Sequence, residues 1–383
     1  MPLALLSLFA GAFAIGTSEF VIAGILPSVS TDLGISIPTA GLLVSLYALG
    51  VAIGGPVLAA FTGRLPRKML VVVYLSVFIA GNMACALAPS FQLLLIARLV
   101  ASLIHGAFFG AAMVTATTLV DENRRGFAIS LILAGLTVSN VVGVPFGTAI
   151  GTAFGWRVTF WAVAALGVVS LATVTLLVPA DGAHEGTRSS FLAELKVLTR
   201  ERVYSTLLII LAQTVGQFAL FTYISPILTD IAGVPLDVVP WLLLVFGVGS
   251  TIGVLIGGRL ADWRLLASLN GILAAQLIVH LLMVPFVGNA WIFTLLVLLW
   301  GGTTFAFGAP VQTRILASTR DSPLLAASLV PSAFNVSIAA GAWLGGALID
   351  GGQSYAVLPW IGVVATAVAL AFAGWQWTRE RAS

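Results

Sequence analysis

Four ionisable side chains fall well inside the long apolar stretches of this chain: Glu19, Arg98, His105 and His280. If those stretches cross a bilayer, a charge there costs roughly 3 kcal/mol or more and is kept only against a partner or a cavity. Glu19 is the one carboxylate among them, and so the one acid able to bind and release a proton at depth. Burial of a carboxylate favours its protonated form, and a neighbouring arginine favours the ionised form. Glu19 lies about eight residues from the end of its stretch and Arg98 about seven from the corresponding end of its own, roughly 10–12 Å deep at about 1.5 Å per residue. Matched depth predicts an ion pair or a shared cavity; the plainer alternative is a fixed pair that only ties two helices. Arg98 and His105 are two helical turns apart and share a face. His105 can bind substrate, relay protons or hydrogen-bond a carbonyl. His280, among Leu and Val with no acid at its level, is expected to be a packed or interfacial histidine.

Other residues suit recognition rather than proton chemistry. Asn140, Gln213, Gln217 and Asn335 are amides inside apolar stretches, able to bridge helices or to line a cavity that recognises polar groups. Phe108, Phe109, Phe218, Phe221, Tyr223 and Trp300 are candidates for an apolar wall, or for core packing. Gly135, Gly143, Gly147 and Gly151 recur at spacings that place one smooth stripe on one helix, where small residues let a neighbour approach closely. Pro145 inside the stripe adds a bend. A single cysteine, Cys85, and separated histidines give neither a nucleophile–base arrangement nor a metal cluster, which argues against an enzyme and against a metal or other cofactor.

The elements that must position these residues follow from composition. Of 383 residues 60% are hydrophobic and only 8% are charged, against roughly 25% charged in soluble domains. A water-soluble fold is excluded. Long unbroken apolar blocks exclude a transmembrane barrel, whose strands alternate. Helices remain, since lipid forces each backbone group to find its partner within its own segment. The net charge of +3 is spread through short loops, so no nucleic-acid surface is expected.

Breaks at charge, Pro and Gly predict twelve spans, at 3–27, 39–61, 69–88, 91–119, 127–154, 158–179, 203–229, 239–260, 267–287, 290–314, 325–349 and 356–378. The first is too long for a signal peptide, and it lacks a basic leading region and a small-residue cleavage site. Twelve spans put all basic residues but Arg98 and Arg157 on one side, which predicts cytoplasmic termini by the positive-inside rule. The polar stretch 180–202 reads as a cytoplasmic linker between an N-terminal half (1–179) and a C-terminal half (203–383).

The halves echo each other. Gly-Ile-Leu-Pro (24–27) answers Ser-Pro-Ile-Leu (225–228). Gly-Arg-Leu-Pro-Arg-Lys (63–68) answers Gly-Gly-Arg-Leu-Ala-Asp-Trp-Arg (257–264). The glycines of the fifth span answer Gly341, Gly345 and Gly346. Paired halves around a central site are a carrier architecture.

Four segments carry a family resemblance: Gly-Thr-Ser-Glu-Phe-Val-Ile-Ala-Gly-Ile-Leu-Pro (16–27), Ala-Arg-Leu-Val-Ala-Ser-Leu-Ile-His-Gly-Ala-Phe-Phe-Gly-Ala-Ala (97–112), Ala-Gly-Leu-Thr-Val-Ser-Asn-Val-Val-Gly-Val-Pro-Phe-Gly (134–147) and Gly-Trp-Arg-Val-Thr-Phe-Trp (155–161). Through them nearly the whole chain resembles the major facilitator superfamily, and within it the twelve-span drug:proton antiporters related to chloramphenicol-efflux and arabinose-efflux permeases. The resemblance implies an all-helical inner-membrane carrier of two six-helix halves with a cavity between them, working by alternating access. It implies proton-driven efflux of small amphipathic or hydrophobic compounds such as antibiotics, with Glu19, Arg98 and His105 in proton coupling and the amides and aromatics above at the substrate. A metabolite carrier on the same frame is the alternative. Partners are then a small-molecule substrate, protons and lipid, with the protein a monomer. The resemblance also places the glycine stripe, Gly143, Pro145 and Gly147, at the interface between the halves as a gate. One motif departs: the loop between spans two and three has Arg64 and Arg67 but lacks the family's leading acid, which the second-half copy keeps as Asp262. Asp121 and Glu122 are the expected latch partners of Arg64 or Arg67.

Overall fold

In the computed structural model, which describes residues 3–62, 65–180, 199–319 and 323–382, every long element is a helix. The first six are α1 (Leu3–Leu33), α2 (Ile37–Thr62), α3 (Arg67–Leu87), α4 (Phe91–Thr118), α5 (Arg125–Val138, continued through Ser139–Gly143 and Val144–Phe154) and α6 (Trp156–Leu177). Then come α7 (Glu201–Phe221) and the run Val239–Phe286, which is bent at Arg264 (φ −152°, ψ 87°) into α8 before the bend and α9 after it. The last are α10 (Ala290–Ala306, continued through Gly308–Ser318), α11 (Pro323–Asp350) and α12 (Leu358–Ala382). Among the described residues 11 helical runs are long and apolar enough to cross a membrane, and the 48-residue run counts twice because of its bend. The outward faces are apolar as well: Trp291 is 89% exposed and Leu176 82%, which suits lipid rather than water.

The predicted spans differ from these helices mainly at prolines. A proline lacks the N–H that the carbonyl four residues earlier needs, and its ring crowds that carbonyl. Pro226 therefore breaks the seventh span after Phe221, and the chain resumes as a short turn, Ile224–Pro226, and a wide turn, Ile227–Ile231. Pro145 opens the wide turn Ser139–Gly143 inside α5, and Pro310 interrupts α10 at Phe307. Pro27 does not end α1, which runs on to Leu33 and carries Asp32 in its last turn. The loop expected between spans eight and nine shrinks to the single non-helical residue Arg264.

The chain divides into two compact units, Met1–Thr187 and Arg188–Ser383. In the first, Leu8, Phe78 and Phe108 centre a core shared by α1, α3 and α4; in the second, Ile210, Leu273 and Val311 do the same for α7, α9 and α10. Small residues set the helix contacts of both. Gly54 of α2 lies against the Leu103 backbone of α4, and Gly253 of α8 against the Gly302 backbone of α10. On α5, Gly143 meets Thr17, and a Cβ on Gly147 would lie 2.7 Å from Val21 Cγ2, both on α1. On α11, Gly341 meets the Val215 backbone, and a Cβ on Gly345 would lie 2.8 Å from the Tyr223 ring, both at the C-terminal part of the α7 segment. The repeat hinted at by the glycines is thus a repeat of helix contacts. The glycine stripe packs on α1 within its own unit, its spacing matching Thr17, Val21 and Ile25 one turn apart.

Candidate functional site

Sequence places Glu19, Arg98 and His105 on two helices, and packing of α1, α2, α3 and α4 brings them into one buried polar cluster. Glu19 is 7% exposed, Arg98 1% and His105 5%. Arg98 does not bridge the Glu19 carboxylate as its depth suggested. Its guanidinium reaches over the backbone, donating to the carbonyls of Ser18 (2.6 Å), Glu19 (3.5 Å) and, on α2, Leu43 (3.5 Å). It also lies 4.2 Å over the Tyr47 ring, a cation–π contact. Its Nε is buried without a hydrogen-bond partner among the described residues. The arginine thus holds α4 against α1 and α2 at the level of Glu19 and lends the carboxylate a positive field without a direct contact.

The ionisable partner of Glu19 is His105, whose Nε2 lies 3.7 Å from Oε2. The other ring nitrogen, Nδ1, is 3.3 Å from the Tyr47 hydroxyl. The imidazole stacks on Phe109 with centroids 5.2 Å apart, and Phe109 meets Phe108 edge-on at 5.9 Å. Next door the Ser18 hydroxyl donates to the Asn82 side-chain oxygen of α3 (2.9 Å), and the Asn82 amide donates to the Phe78 carbonyl (2.8 Å). Tyr47 and Asn82 were missed in the sequence. Their signal was faint: one tyrosine and one asparagine, each within an apolar run.

The second unit holds a different kind of polar set. Gln213 of α7 donates to Gln276 of α9 (3.2 Å), and Gln276 donates to the Thr304 hydroxyl of α10 (3.2 Å). Thr304 in turn donates to Gln217 of α7 (2.7 Å). Beside this chain Phe221 and Trp300 close on Phe246, with centroids 5.0 Å from it in each case. Tyr223 donates to the Ala342 carbonyl of α11 (2.9 Å). Asn140 and Asn335 each donate to a carbonyl four residues back on their own helix. Of the predicted recognition residues, Phe108 and Phe109 are therefore brought to the Glu19–His105 cluster, Gln213, Gln217, Phe221 and Trp300 to one neighbourhood, and Asn140, Tyr223 and Asn335 to separate helix contacts. His280 is a packed histidine, its Nδ1 3.0 Å from the Thr366 hydroxyl.

Several loop residues fall differently. Arg64 lies outside the described residues. Glu122 pairs with Arg125 on its own turn (3.1 Å), and Asp121 and Asp262 are exposed. Arg314, expected at a loop, is buried in α10, where Thr206 (2.9 Å), Gln376 (2.6 Å) and Glu380 (2.8 Å) accept from it. At the other end of the first unit Arg157 pairs with Asp32, and Trp156 Nε1 donates to the same carboxylate (3.0 Å). Gly155 between α5 and α6 has φ +93°, which explains the glycine that begins the Gly-Trp-Arg segment.

Twelve crossings in two units with matching internal helix contacts are the architecture of a carrier. Comparison with known proteins agrees. Residues 8–323 match the Major Facilitator Superfamily. The chain is 37% identical over 367 residues to the inner membrane transport protein YdhP of Escherichia coli K12, covering 96% of this chain and 94% of that one. It is 35% identical over 344 residues to a chloramphenicol resistance protein of Streptomyces lividans, covering 89% and 88%. Among solved structures, a bacterial homologue of the human lysosomal transporter Spinster, inward-facing and unoccupied, superposes with a TM-score of 0.73 at 16% identity, over 97% of this chain and 96% of that one. The chain belongs to the major facilitator superfamily and is a multi-pass membrane transporter.

Proposed function

We propose that this transporter is a proton-coupled antiporter that exports small amphipathic or hydrophobic compounds by alternating access, with both termini in the cytoplasm. The observation that carries the reading is the buried Glu19 carboxylate facing His105 in the cluster held by Arg98. A carboxylate there exchanges a proton at a cost set by its few fixed neighbours, so a change in those neighbours changes its protonation. Proton entry neutralises Glu19 and favours substrate release, and proton loss on the other side favours rebinding. The driving force suffices: about 2.3 kcal/mol per charge per 100 mV, plus about 1.4 kcal/mol per pH unit. Likeness to a chloramphenicol resistance protein supports an antibiotic-like substrate. The aromatic group Phe221, Phe246 and Trp300 supports an apolar one.

A metabolite carrier is the second reading, favoured by the amide–hydroxyl chain Gln213–Gln276–Thr304–Gln217. Its members satisfy one another, which suits helix bridging as well as recognition of a polar solute. Reconstitution in liposomes with an imposed pH gradient tests both. Uphill movement of chloramphenicol-like compounds with counterflow of protons supports the first reading. Gradient-independent exchange of a sugar, nucleoside or amino acid supports the second. The 180–202 linker and the latch role of Arg64, Arg67, Asp121 and Asp262 belong to the same proposal.

A further inference from the structure

The three-residue line Tyr47, His105, Glu19 runs across α2, α4 and α1, with His105 in the middle. A neutral imidazole has one donor and one acceptor nitrogen, and a bond at one nitrogen decides the role of the other. The Tyr47 hydroxyl is 3.3 Å from Nδ1, and Nε2 is 3.7 Å from the Glu19 carboxylate. Arg98 stands 4.2 Å over the face of the Tyr47 ring. A cation on a phenol ring draws electron density from the oxygen and makes its O–H the better donor. Tyr47 is also 1% exposed, so no bulk water competes for the hydroxyl. We infer that Tyr47 is a positioning residue of the proton site: its hydroxyl donates to His105 Nδ1, places the imidazole proton on Nε2, and so directs an N–H at the Glu19 carboxylate.

The consequence is that Glu19 meets a donor rather than a lone pair. With the proton on Nδ1 instead, the Nε2 lone pair would face the carboxylate and the ionised form would lose its partner. The other titratable or charged groups near His105 do not take over this task. Arg98 is occupied with carbonyls. Cys85 of α3 is close enough to Arg98 to interact with it but is a weak donor. α5 carries no ionisable residue after Arg125. The inference rests on the proton-coupled reading for its role in transport, and on geometry alone for the tautomer.

Tyr47→Phe removes the hydroxyl and keeps the ring under Arg98, so the packing survives. The three histidines, His105, His184 and His280, give separable imidazole 15N signals, with His105 identified by their loss in His105→Gln. The wild type should show the Nε2–H tautomer, and Tyr47→Phe a mixture. The pH midpoint of export should rise by about 0.5–1 unit, the size of one net hydrogen bond. Melting temperature should stay within a few degrees. An unchanged tautomer in Tyr47→Phe overturns the inference, and so does an Nδ1–H tautomer in the wild type, which needs no variant to fold. If the tautomer responds as expected but wild-type liposomes show no pH-driven export, the positioning stands and the proton-coupled reading falls.

Discussion

His105 Nε2 stands 3.7 Å from the Glu19 carboxylate, while Arg98, the residue expected to pair with that acid, spends its guanidinium on the carbonyls of Ser18, Glu19 and Leu43. The arginine and the acid are neighbours by backbone rather than by charge contact. That division separates them structurally: Arg98 ties α4 to the backbone of α1 and α2, and the Glu19 side chain faces His105.

Glu19→Gln should abolish uphill export under a pH gradient, because an amide neither gains nor loses a proton near neutral pH. Substrate binding should persist within a few fold, since the shape is kept. Binding to the detergent-solubilised protein and export from liposomes, measured side by side, check this. Full uphill export by the variant would remove Glu19 from the proton path.

Arg98→Ala leaves the Ser18 carbonyl without its 2.6 Å donor, and a buried group left unsatisfied costs about 1–3 kcal/mol. A lower melting temperature and impaired export should follow. Loss of the cation that stands over the Tyr47 ring and the α1 backbone beside Glu19 should also move the pH profile of the residual export. An unchanged pH profile would show that the two residues do not communicate.

At the glycine stripe, Gly147→Leu forces a side chain into Val21, already within 2.7 Å of an added Cβ. Overpacking of this kind costs about 1–3 kcal/mol or more, so expression and thermal stability should drop. Gly147→Ala adds only the Cβ, whose one tight contact is a Val21 methyl with Thr159 Cγ2 next at 3.4 Å, so a small shift of Val21 relieves it and the variant should fold. Proton leak into substrate-free liposomes then separates the roles. A leak at normal melting temperature marks a seal; loss of stability and activity together without leak marks packing of α5 on α1.

Arg314→Gln should destabilise the second unit by about 1–3 kcal/mol, because a buried ion network loses its central cation. Glu380 keeps Arg202 at 3.4 Å, which holds the loss below that of a fully orphaned charge. The expected readout is a lower melting temperature with specific transport by the surviving folded fraction unchanged. A normal melting temperature with lost transport would instead give Arg314 a part in the transport cycle.

Composition by itself determined that this chain is helical and membrane-embedded, since eight charged residues in a hundred cannot cover a soluble surface and lipid leaves helices as the way to satisfy the backbone. It also determined the twelve crossings, and it singled out Glu19, Arg98 and His105, because an ionisable residue inside an apolar run is conspicuous without any coordinates. The partners of those residues were decided by tertiary structure alone. A depth count treats a helix as a rod ending at Pro27, yet α1 runs through Pro27 to Leu33, and a long arginine can bypass a carboxylate to reach carbonyls. Tyr47, Asn82, Gln276 and Thr304 acquire meaning only when their helices meet, since nothing along the chain separates a tyrosine that packs from one that bonds an imidazole. The glycine stripe makes the same point: spacing along α5 shows that a neighbour comes close, but which helix it is follows from the packing of α5 onto Thr17, Val21 and Ile25 of α1.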